Sequence, residues 1–411
     1  MATRGWLTWA VGGLAVVLVV GGAGFFGFAP AIVESNMNRM EETELPEVGA
    51  EARALHETLF VADLHSDTLL WQRDLLQRGS RGHLDLPRLM EGNVGLQVFS
   101  SVSKTPRGQN YDSNPADTDN ITLLSIAQLQ PPATWFSIFE RSMFHAEKLR
   151  DAASRSDGRL RLVTTRGELA RLVADRKAGR DVVGALFSLE GLQNLEGRID
   201  NLQRLYDAGA RMAGFTHFFD NEVAGSMHGE HKGGLTPLGR RVFREMERLG
   251  MVVDVAHASH PAIAEMLAMA TRPVIASHGG VQATCAVNRN LADDEIRGIA
   301  RTGGVIGIGY WDAAICRLSP TAVVDAIEHV VKVGGIETAA LGSDFDGATT
   351  VAWDTSQLSL ITQELINRGF SEGDIAAIMG GNTVRVLLAP CPTDRGRGDE
   401  AASRAHPRLC T

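Results

Sequence analysis

The 411-residue sequence lacks a concentrated run of Lys or Arg, and its formal net charge is −9. Because phosphate binding requires clustered basic side chains, this composition disfavours a nucleic-acid partner. A CxxC metal knuckle is also absent, and the Gly303–Gly309 segment has neither a following Lys-Ser/Thr nor a GxGxxG frame. Ser66 and Cys285 have no evident neighbouring base, so the sequence provides no reason to expect nucleophilic catalysis.

Charge is absent from Gly5 to Val33, and this stretch exceeds the roughly 20 apolar residues that cross a bilayer as a helix. Arg4 precedes the stretch and Glu34 follows it, which places the N-terminus in the cytoplasm. We therefore expect residues 1–33 to be a transmembrane anchor that holds the body outside the cytoplasm, in the periplasm or at the cell surface. A cleaved signal peptide, with a small-residue site at 29–31, is the alternative.

After a polar, Glu-rich connector (34–54), eight short apolar runs alternate with helical stretches through the body (55–388), and a tail follows (389–411). Most of these runs are continuously apolar, which is typical of parallel strands buried on both faces. The pattern predicts a (β/α)8 barrel, and a doubly wound open sheet is the alternative. The predicted strands are Leu59–Ala62, Val94–Ser100, Val182–Leu189, Arg211–Thr216, Met251–Val255, Pro273–Ser277, Gly304–Gly309 and Ala339–Ser343.

The four cysteines allow pairing in an oxidising compartment. Cys285 and Cys316 flank one predicted strand and can form a disulfide. Cys391 and Cys410 lie in the tail, where a second disulfide could hold the chain. Four unpaired thiols are the alternative.

A histidine or carboxylate stands at or just beyond the end of six of the predicted strands. In a barrel, the C-terminal ends of the strands surround the active site, so these side chains are expected to meet at one mouth. An insertion between the second and third strands, residues 104–181, is expected to form part of the substrate rim. The strand-end residues are His65, Asp67, Glu190, His217, His257, His278 and Asp344.

Spacing and chemistry indicate a two-metal centre. His65 and Asp67 are two residues apart, so both side chains can bind one ion, while His257 and His278 can bind a second. Glu190 has two carboxylate oxygens and can bridge the pair. Imidazole with carboxylate suits two Zn²⁺ ions, with Mn²⁺ or Co²⁺ as substitutes. Two such ions can share a hydroxide and polarise a scissile carbonyl.

Seven motifs, in this order, resemble those of the membrane (renal) dipeptidase family of zinc metallopeptidases over about residues 55–385. The resemblance implies a binuclear zinc barrel, a dipeptide substrate that often has a C-terminal D-residue, and a homodimer. The Cys285–Cys316 pair also resembles a disulfide of animal members. The motifs are Asp63-Leu-His-Ser-Asp67, Leu189-Glu-Gly191, Thr216-His217, Asp254-Val-Ala-His257, Ser277-His278, Asn288-Arg-Asn290 and Gly342-Ser-Asp-Phe-Asp-Gly347.

The resemblance implies the same metal ligands and adds three roles around the substrate. His217 would contact the substrate carbonyl or the developing oxyanion. Arg289 would pair with the free carboxylate of the dipeptide. Asp344 would handle the proton of the attacking water or of the substrate amine, and Asp346 is a neighbour that spacing alone cannot rank against it.

Two other functions remain open at this point. Another binuclear amidohydrolase would act on lactams or cyclic amides, although such barrels usually begin with His-x-His and this chain has His-x-Asp. A metal-bearing surface protein without catalysis is the second alternative. The remaining histidines are interpreted without a catalytic role: His228 and His231 as solvated loop residues, with a place at the pocket rim as the alternative, and His56, His145 and His329 as structural or exposed.

Overall fold

Continuous apolar runs become parallel strands that are buried along their whole length. The computed structural model describes residues 21–389. Eight strands follow one another round a ring, and a bridge between Ala276 and Ile306 joins the last pair and closes it. The predicted barrel is therefore confirmed, and the open sheet is excluded. The ring consists of β2 (Val61–Asp63), β3 (Val94–Val102), β5 (Val183–Glu190), β6 (Ala210–Gly214), β7 (Val252–Asp254), β8 (Val274–Ile275), β9 (Ile306–Ile308) and β10 (Ala339–Leu341).

Helices cover the outside of the barrel, and several begin at a hydroxyl cap followed by proline. Thr236 and Ser319, for example, each accept a hydrogen bond from a first-turn N–H and precede a proline. The first described residues belong to a helix, α1, that ends at residue 37. The others are α2 (Ala50–Thr58), α3 (Leu86–Glu91), α4 (Ile121–Ala127), α5 (Ala133–Phe136), α6 (Ile138–Arg155), α7 (Arg166–Lys177), α8 (Asp200–Asp207), α9 (Pro237–Leu249), α10 (His260–Met269), α11 (Asp293–Arg301), α12 (Asp312–Ile315), α13 (Pro320–Gly334), α14 (Ser359–Asn367), α15 (Glu372–Ala376) and α16 (Asn382–Leu387).

The insertion after β3 contains α4 to α7 and a short strand, β4 (Leu160–Leu162), that the sequence did not predict. This strand pairs in parallel with β5 and stands off the ring. It was missed because three residues, only one of them fully buried, form no clear hydrophobic pattern. The insertion is thus folded, and its strand β4 lies beside the first residues of β5, at the end of the barrel away from the mouth.

The stretch predicted as a connector, 34–54, is instead packed on the barrel. Glu34 is only 1% exposed, because its carboxylate pairs with the guanidinium groups of Arg73 and Arg81. Strand β1 (Arg39–Met40) pairs in parallel with β11 (Thr350–Val351), which follows β10. These long-range contacts have no periodic signal in the sequence.

The predicted anchor, residues 1–33, lies mostly outside the described residues, as do nearly all of the predicted tail and its Cys391 and Cys410. Within residues 21–389, none of the helices combines the length and apolar character that crossing a bilayer requires. The predicted Cys285–Cys316 disulfide is confirmed, and it ties the loop after β8 to the end of α12.

Candidate metal centre and active site

Glu190 is the last residue of β5, and four imidazoles converge on its Oε1 atom. The Nε2 atoms of His65, His217, His257 and His278 lie 3.6, 3.5, 3.1 and 3.6 Å from it. All five side chains are buried. Polar groups so buried need partners, and one carboxylate cannot satisfy four imidazoles. The arrangement is therefore typical of a site that binds cations between these atoms.

Several buried ligand atoms also have no hydrogen-bond partner in the described structure: His65 Nε2, Asp67 Oδ1, Glu190 Oε2 and His257 Nδ1. His65 Nε2 and Asp67 Oδ1 are 3.3 Å apart without hydrogen-bond geometry. Nitrogen and carboxylate oxygen together are the donor set that Zn²⁺ prefers. Three overlapping groups have ligand atoms within 4.8 Å of one another: His65, Glu190 and His278; Glu190, His217 and His257; His65, Asp67 and Asp344.

Burial and neighbouring charges set the protonation of these ligands in the metal-free protein. Burial lowers the pKa of His257 well below its usual value, with Arg289 adding to the effect, and lowers that of His278 likewise. Burial also opposes protonation of His65, but the charges of Glu190 and Asp67 outweigh it and raise the pKa of His65 well above its usual value. Neutral imidazole is the form that binds a metal. Burial, with the Glu190 charge as the next cause, raises the pKa of Asp67 to about 7. The carboxylate of Asp67 is therefore one that a cation would stabilise.

The backbone at two of these strand ends is left-handed although the residues are not glycine. His257 and Asp344 have φ values of 64° and 60°, and Asp346 and Ala348 have 64° and 60°. Such conformations cost energy and persist only where the surrounding structure fixes them.

Two buried aspartates hold the loops that carry the ligands, and neither was predicted to have a role. Asp63 accepts hydrogen bonds from the backbone N–H of His65 (3.0 Å) and of Ser343 (3.1 Å). Asp254 accepts from the N–H (2.9 Å) and the hydroxyl (2.6 Å) of Ser277, whose Oγ lies 2.8 Å from His278 Nδ1. The available signal was that each aspartate opens a motif that ends in a metal-type ligand.

Asp344 and Asp346, which spacing could not rank, lie in different environments. Asp344 lines the cavity at the barrel mouth, with Oδ1 3.9 Å from His65 Nε2. Asp346 is fully buried and accepts hydrogen bonds from Arg73, from the Thr68 hydroxyl (2.7 Å) and from the backbone of the adjacent loop. Only Asp344 is therefore placed to meet a substrate.

Arg289 is 2% exposed, and none of the ion pairs within residues 21–389 includes it. Its Nη2 donates to the His278 carbonyl oxygen at 2.9 Å, while its Nε has no partner. The guanidinium lies 5.6 Å from the centre of the Trp311 ring. A buried cation without an anionic partner is costly, so the site is suited to a carboxylate ligand.

The cavity above the cluster has a volume of about 420 Å³. Predicted residues on its wall are Asp67, Glu190, His217, His257, Arg289 and Asp344. Tyr111, from the insertion, also lines it, and its hydroxyl accepts a hydrogen bond from Trp311 Nε1 at 3.1 Å. Tyr111 was not predicted, because nothing in a polar loop indicates which side chain turns inward.

The prediction that His228 is a solvated loop residue is wrong. It is fully buried, stacks on Phe218 with ring centroids 4.7 Å apart, and its Nδ1 lies 2.9 Å from the Tyr111 carbonyl oxygen. The Gly-rich loop that carries it folds back under the insertion, which the sequence did not reveal. His231 is exposed, as predicted, and His56 is buried between Thr362 and Gly92 in a structural role.

A closed parallel barrel with buried imidazoles and carboxylates grouped at its strand ends defines a metal-dependent hydrolase. The model of the membrane dipeptidase family, peptidase family M19, matches residues 49–390. The chain belongs to this family, and it is a metallodipeptidase.

Curated relatives and solved structures agree with this assignment. The dipeptidase aclJ of Aspergillus oryzae is 28% identical over 348 residues, which span 80% of this chain and 77% of that protein. The dipeptidase verJ of Clonostachys rogersoniana is 29% identical over 312 residues, 74% of this chain and 75% of that protein.

Among solved structures, the probable dipeptidase PvdM of Pseudomonas aeruginosa superposes with a TM-score of 0.68 at 22% identity, covering 82% of this chain and 96% of its own. A metallopeptidase of Rhodobacter sphaeroides, liganded with a phosphinate mimic of L-Ala-D-Ala, gives 0.65 at 22% identity, covering 80% of this chain and 98% of its own. These likenesses show the shared barrel fold.

Proposed function

We propose that this chain hydrolyses dipeptides with two Zn²⁺ ions, and that dipeptides with a C-terminal D-residue are among its substrates. The observation that carries the proposal is the convergence of four imidazole Nε2 atoms on Glu190 Oε1, with the unpaired Arg289 nearby. The Rhodobacter sphaeroides relative with its bound L-Ala-D-Ala mimic supports the D-residue.

His65 and Asp67 would hold one ion, His257 and His278 the other, and Glu190 would bridge them. When bound, the ions acidify the attacking water and polarise the scissile carbonyl. Asp63 and Asp254 keep the ligand loops in place through the hydrogen bonds described above.

His217 would donate a hydrogen bond to the substrate carbonyl oxygen as negative charge develops on it. Its Nδ1 is 3.4 Å from the Lys104 carbonyl oxygen, which is long for a hydrogen bond, so the proton can reside on Nε2 instead. Burial lowers the pKa of His217, which keeps the ring neutral.

Arg289 would bind the free carboxylate, which in a dipeptide lies one residue beyond the scissile bond. A peptide that is longer at its C-terminal end has a peptide bond at that position instead. Asp344 would take the proton of the attacking water and pass it to the leaving amine. Burial raises the pKa of Asp344 well above its usual value in the metal-free protein, and nearby His65 opposes that shift.

The test is a panel assay on the purified full-length chain, loaded with Zn²⁺. We expect cleavage of L-Ala-D-Ala and L-Ala-L-Ala, and slower or no opening of a lactam such as a carbapenem. Lactam opening without dipeptide cleavage would favour the alternative amidohydrolase. Binding of dipeptides without turnover would favour a non-catalytic binding protein.

We also propose that the apolar part of residues 1–33 that precedes Val33, which itself lines the cavity, anchors the enzyme in a membrane with its body outside the cytoplasm. The support is the uncharged run from Gly5 to Val33 and the exposure of Phe25, Phe28 and Ile32 on α1. Carbonate extraction and protease accessibility of intact cells test the location, and sequencing the mature N-terminus tests the alternative of a cleaved signal. Light scattering in detergent would test the homodimer that the resemblance implies.

A further inference from the structure

Two side chains from the end of α1 line the active-site cavity, although they precede the barrel in the chain. Val33 and Met37 stand on its wall together with the catalytic-site residues Asp67 and Asp344. They are 39% and 45% exposed, so they face the open part of the cavity. The segment before the barrel is thus part of the active site.

This segment is fixed in place by buried polar contacts. Glu34, between the two lining residues, is paired with Arg73 and, at 2.6 Å, with Arg81. Arg73 also pairs with Asp346, in the loop that carries Asp344. One turn later, Asn38 accepts a hydrogen bond at 2.8 Å from the N–H of residue 348. Pairing of β1 with β11 extends the attachment.

An apolar cluster lines the same cavity as Val33 and Met37. Leu70, Trp71, Val102 and Ile121 form a separate buried cluster, with Leu124 packed against it. All of these side chains also line the cavity. They come from the loop after β2, the end of β3 and the insertion helix α4, so one side of the mouth is apolar.

The loop that carries Arg289 begins on the opposite side of the mouth. It follows β8, and in the ring order β2-β3-β5-β6-β7-β8-β9-β10, β8 stands across the barrel from β3. If Arg289 holds the carboxylate of the C-terminal residue, the N-terminal residue of the dipeptide extends over the metal ligands toward the apolar side.

We propose that Val33 and Met37, with Trp71, Ile121 and Leu124, form a subsite for a large apolar side chain on the N-terminal residue of the dipeptide. This inference rests on the proposed dipeptidase function and assigns its substrate class. An apolar pocket gains binding from each methylene that it buries, which corresponds to about 10-fold or more in kcat/KM between large and small side chains.

The test compares Leu-Ala with Gly-Ala as substrates of the zinc-loaded full-length chain. The wild type is expected to prefer Leu-Ala by at least about 10-fold in kcat/KM. The Val33→Thr/Met37→Gln double variant, which keeps side-chain size and adds polarity, is expected to reduce this ratio to below about threefold. Met40→Gln is the matched control, because Met40 is 51% exposed on the same segment and does not line the cavity; its ratio should equal that of the wild type.

A second variant, Val33→Phe, fills the subsite instead of making it polar, and it should lower the ratio as well. Thermal melting of each variant shows whether the fold is intact, and the exposure of both positions makes them tolerant of substitution.

Failure of the wild type to cleave either dipeptide would overturn the proposed function and the inference with it. Cleavage of both with equal efficiency, or an unchanged preference in the folded double variant and in Val33→Phe, would overturn the subsite alone and leave the dipeptidase standing.

Discussion

The floor and the rim of the active-site cavity are built in different ways. The floor consists of strand-end residues such as Glu190 and His257, which are buried and held by the barrel itself. The rim consists of partly exposed side chains such as Tyr111 and Met37, supplied by the insertion and by α1. The barrel strands thus supply the candidate ligands, whereas the segments added around the barrel shape the cavity above them.

The largest effect is expected from removing the bridging carboxylate of the floor. Glu190→Ala should lose bound metal and reduce dipeptide hydrolysis to background, because it is the one side chain shared by both proposed metal positions. Metal analysis and a dipeptidase assay on the same preparation measure both losses. Glu230→Ala, on the exposed surface, is the matched control. Retained metal and activity in Glu190→Ala would break the distinction between floor and rim.

The next largest effects are expected at the neighbouring aspartates Asp344 and Asp346. Asp344→Asn should lower kcat by about 10²–10⁴-fold while metal content is kept, since only proton transfer is lost. Asp346→Asn should instead lower the free energy of unfolding by about 1–3 kcal/mol, because buried Arg73 loses one of its two carboxylate partners and keeps Glu34. Kinetics and denaturant unfolding of both variants would show the difference, and identical behaviour would contradict it.

Arg289 stands between floor and rim. Arg289→Met should reduce kcat/KM for a dipeptide by about 10²-fold, because the substrate carboxylate loses its charged partner. The corresponding dipeptide amide has no carboxylate, so the same variant should reduce kcat/KM for the amide much less. Equal losses for the two substrates would mean that Arg289 has only a structural role.

Metal uptake by the floor should depend on pH. The pKa of Asp67, raised from its ordinary value to about 7 by burial and by Glu190, means that the metal-free site holds a proton below that pH. A metal ion must displace this proton, and also that of His65, whose pKa is raised well above its usual value by Glu190 and Asp67 against the effect of burial, so affinity should fall by at least about 10-fold per pH unit below 7. Competitive zinc titrations at pH 6 and pH 8 measure the change, and a pH-independent affinity would contradict it.

The smallest effect is expected at the rim. Tyr111→Phe removes the hydrogen bond with Trp311 Nε1, which contributes about 1 kcal/mol, and should change kcat/KM by roughly fivefold. Metal content should stay constant, because Tyr111 is not one of the candidate metal ligands. A loss of metal in this variant would show that floor and rim are not independent.

The same division explains what could be predicted from the sequence. Glu190 and His257 follow continuous apolar runs, and a barrel gathers such strand ends at one mouth, so the residues of the floor were predictable from the amino-acid pattern. The burial of His228 against Phe218, or of Glu34 against Arg73, depends on contacts between distant segments without hydrophobic periodicity. The left-handed backbone at Asp344 likewise has no signal in the sequence.

The most direct test of the two-metal mechanism is the metal stoichiometry of the purified chain, followed by activity as the metal is removed and returned. The mechanism predicts two zinc ions per chain, loss of dipeptide hydrolysis after dialysis against a chelator, and recovery as Zn²⁺ is added back. Undiminished cleavage by a chain shown to contain no metal would contradict it.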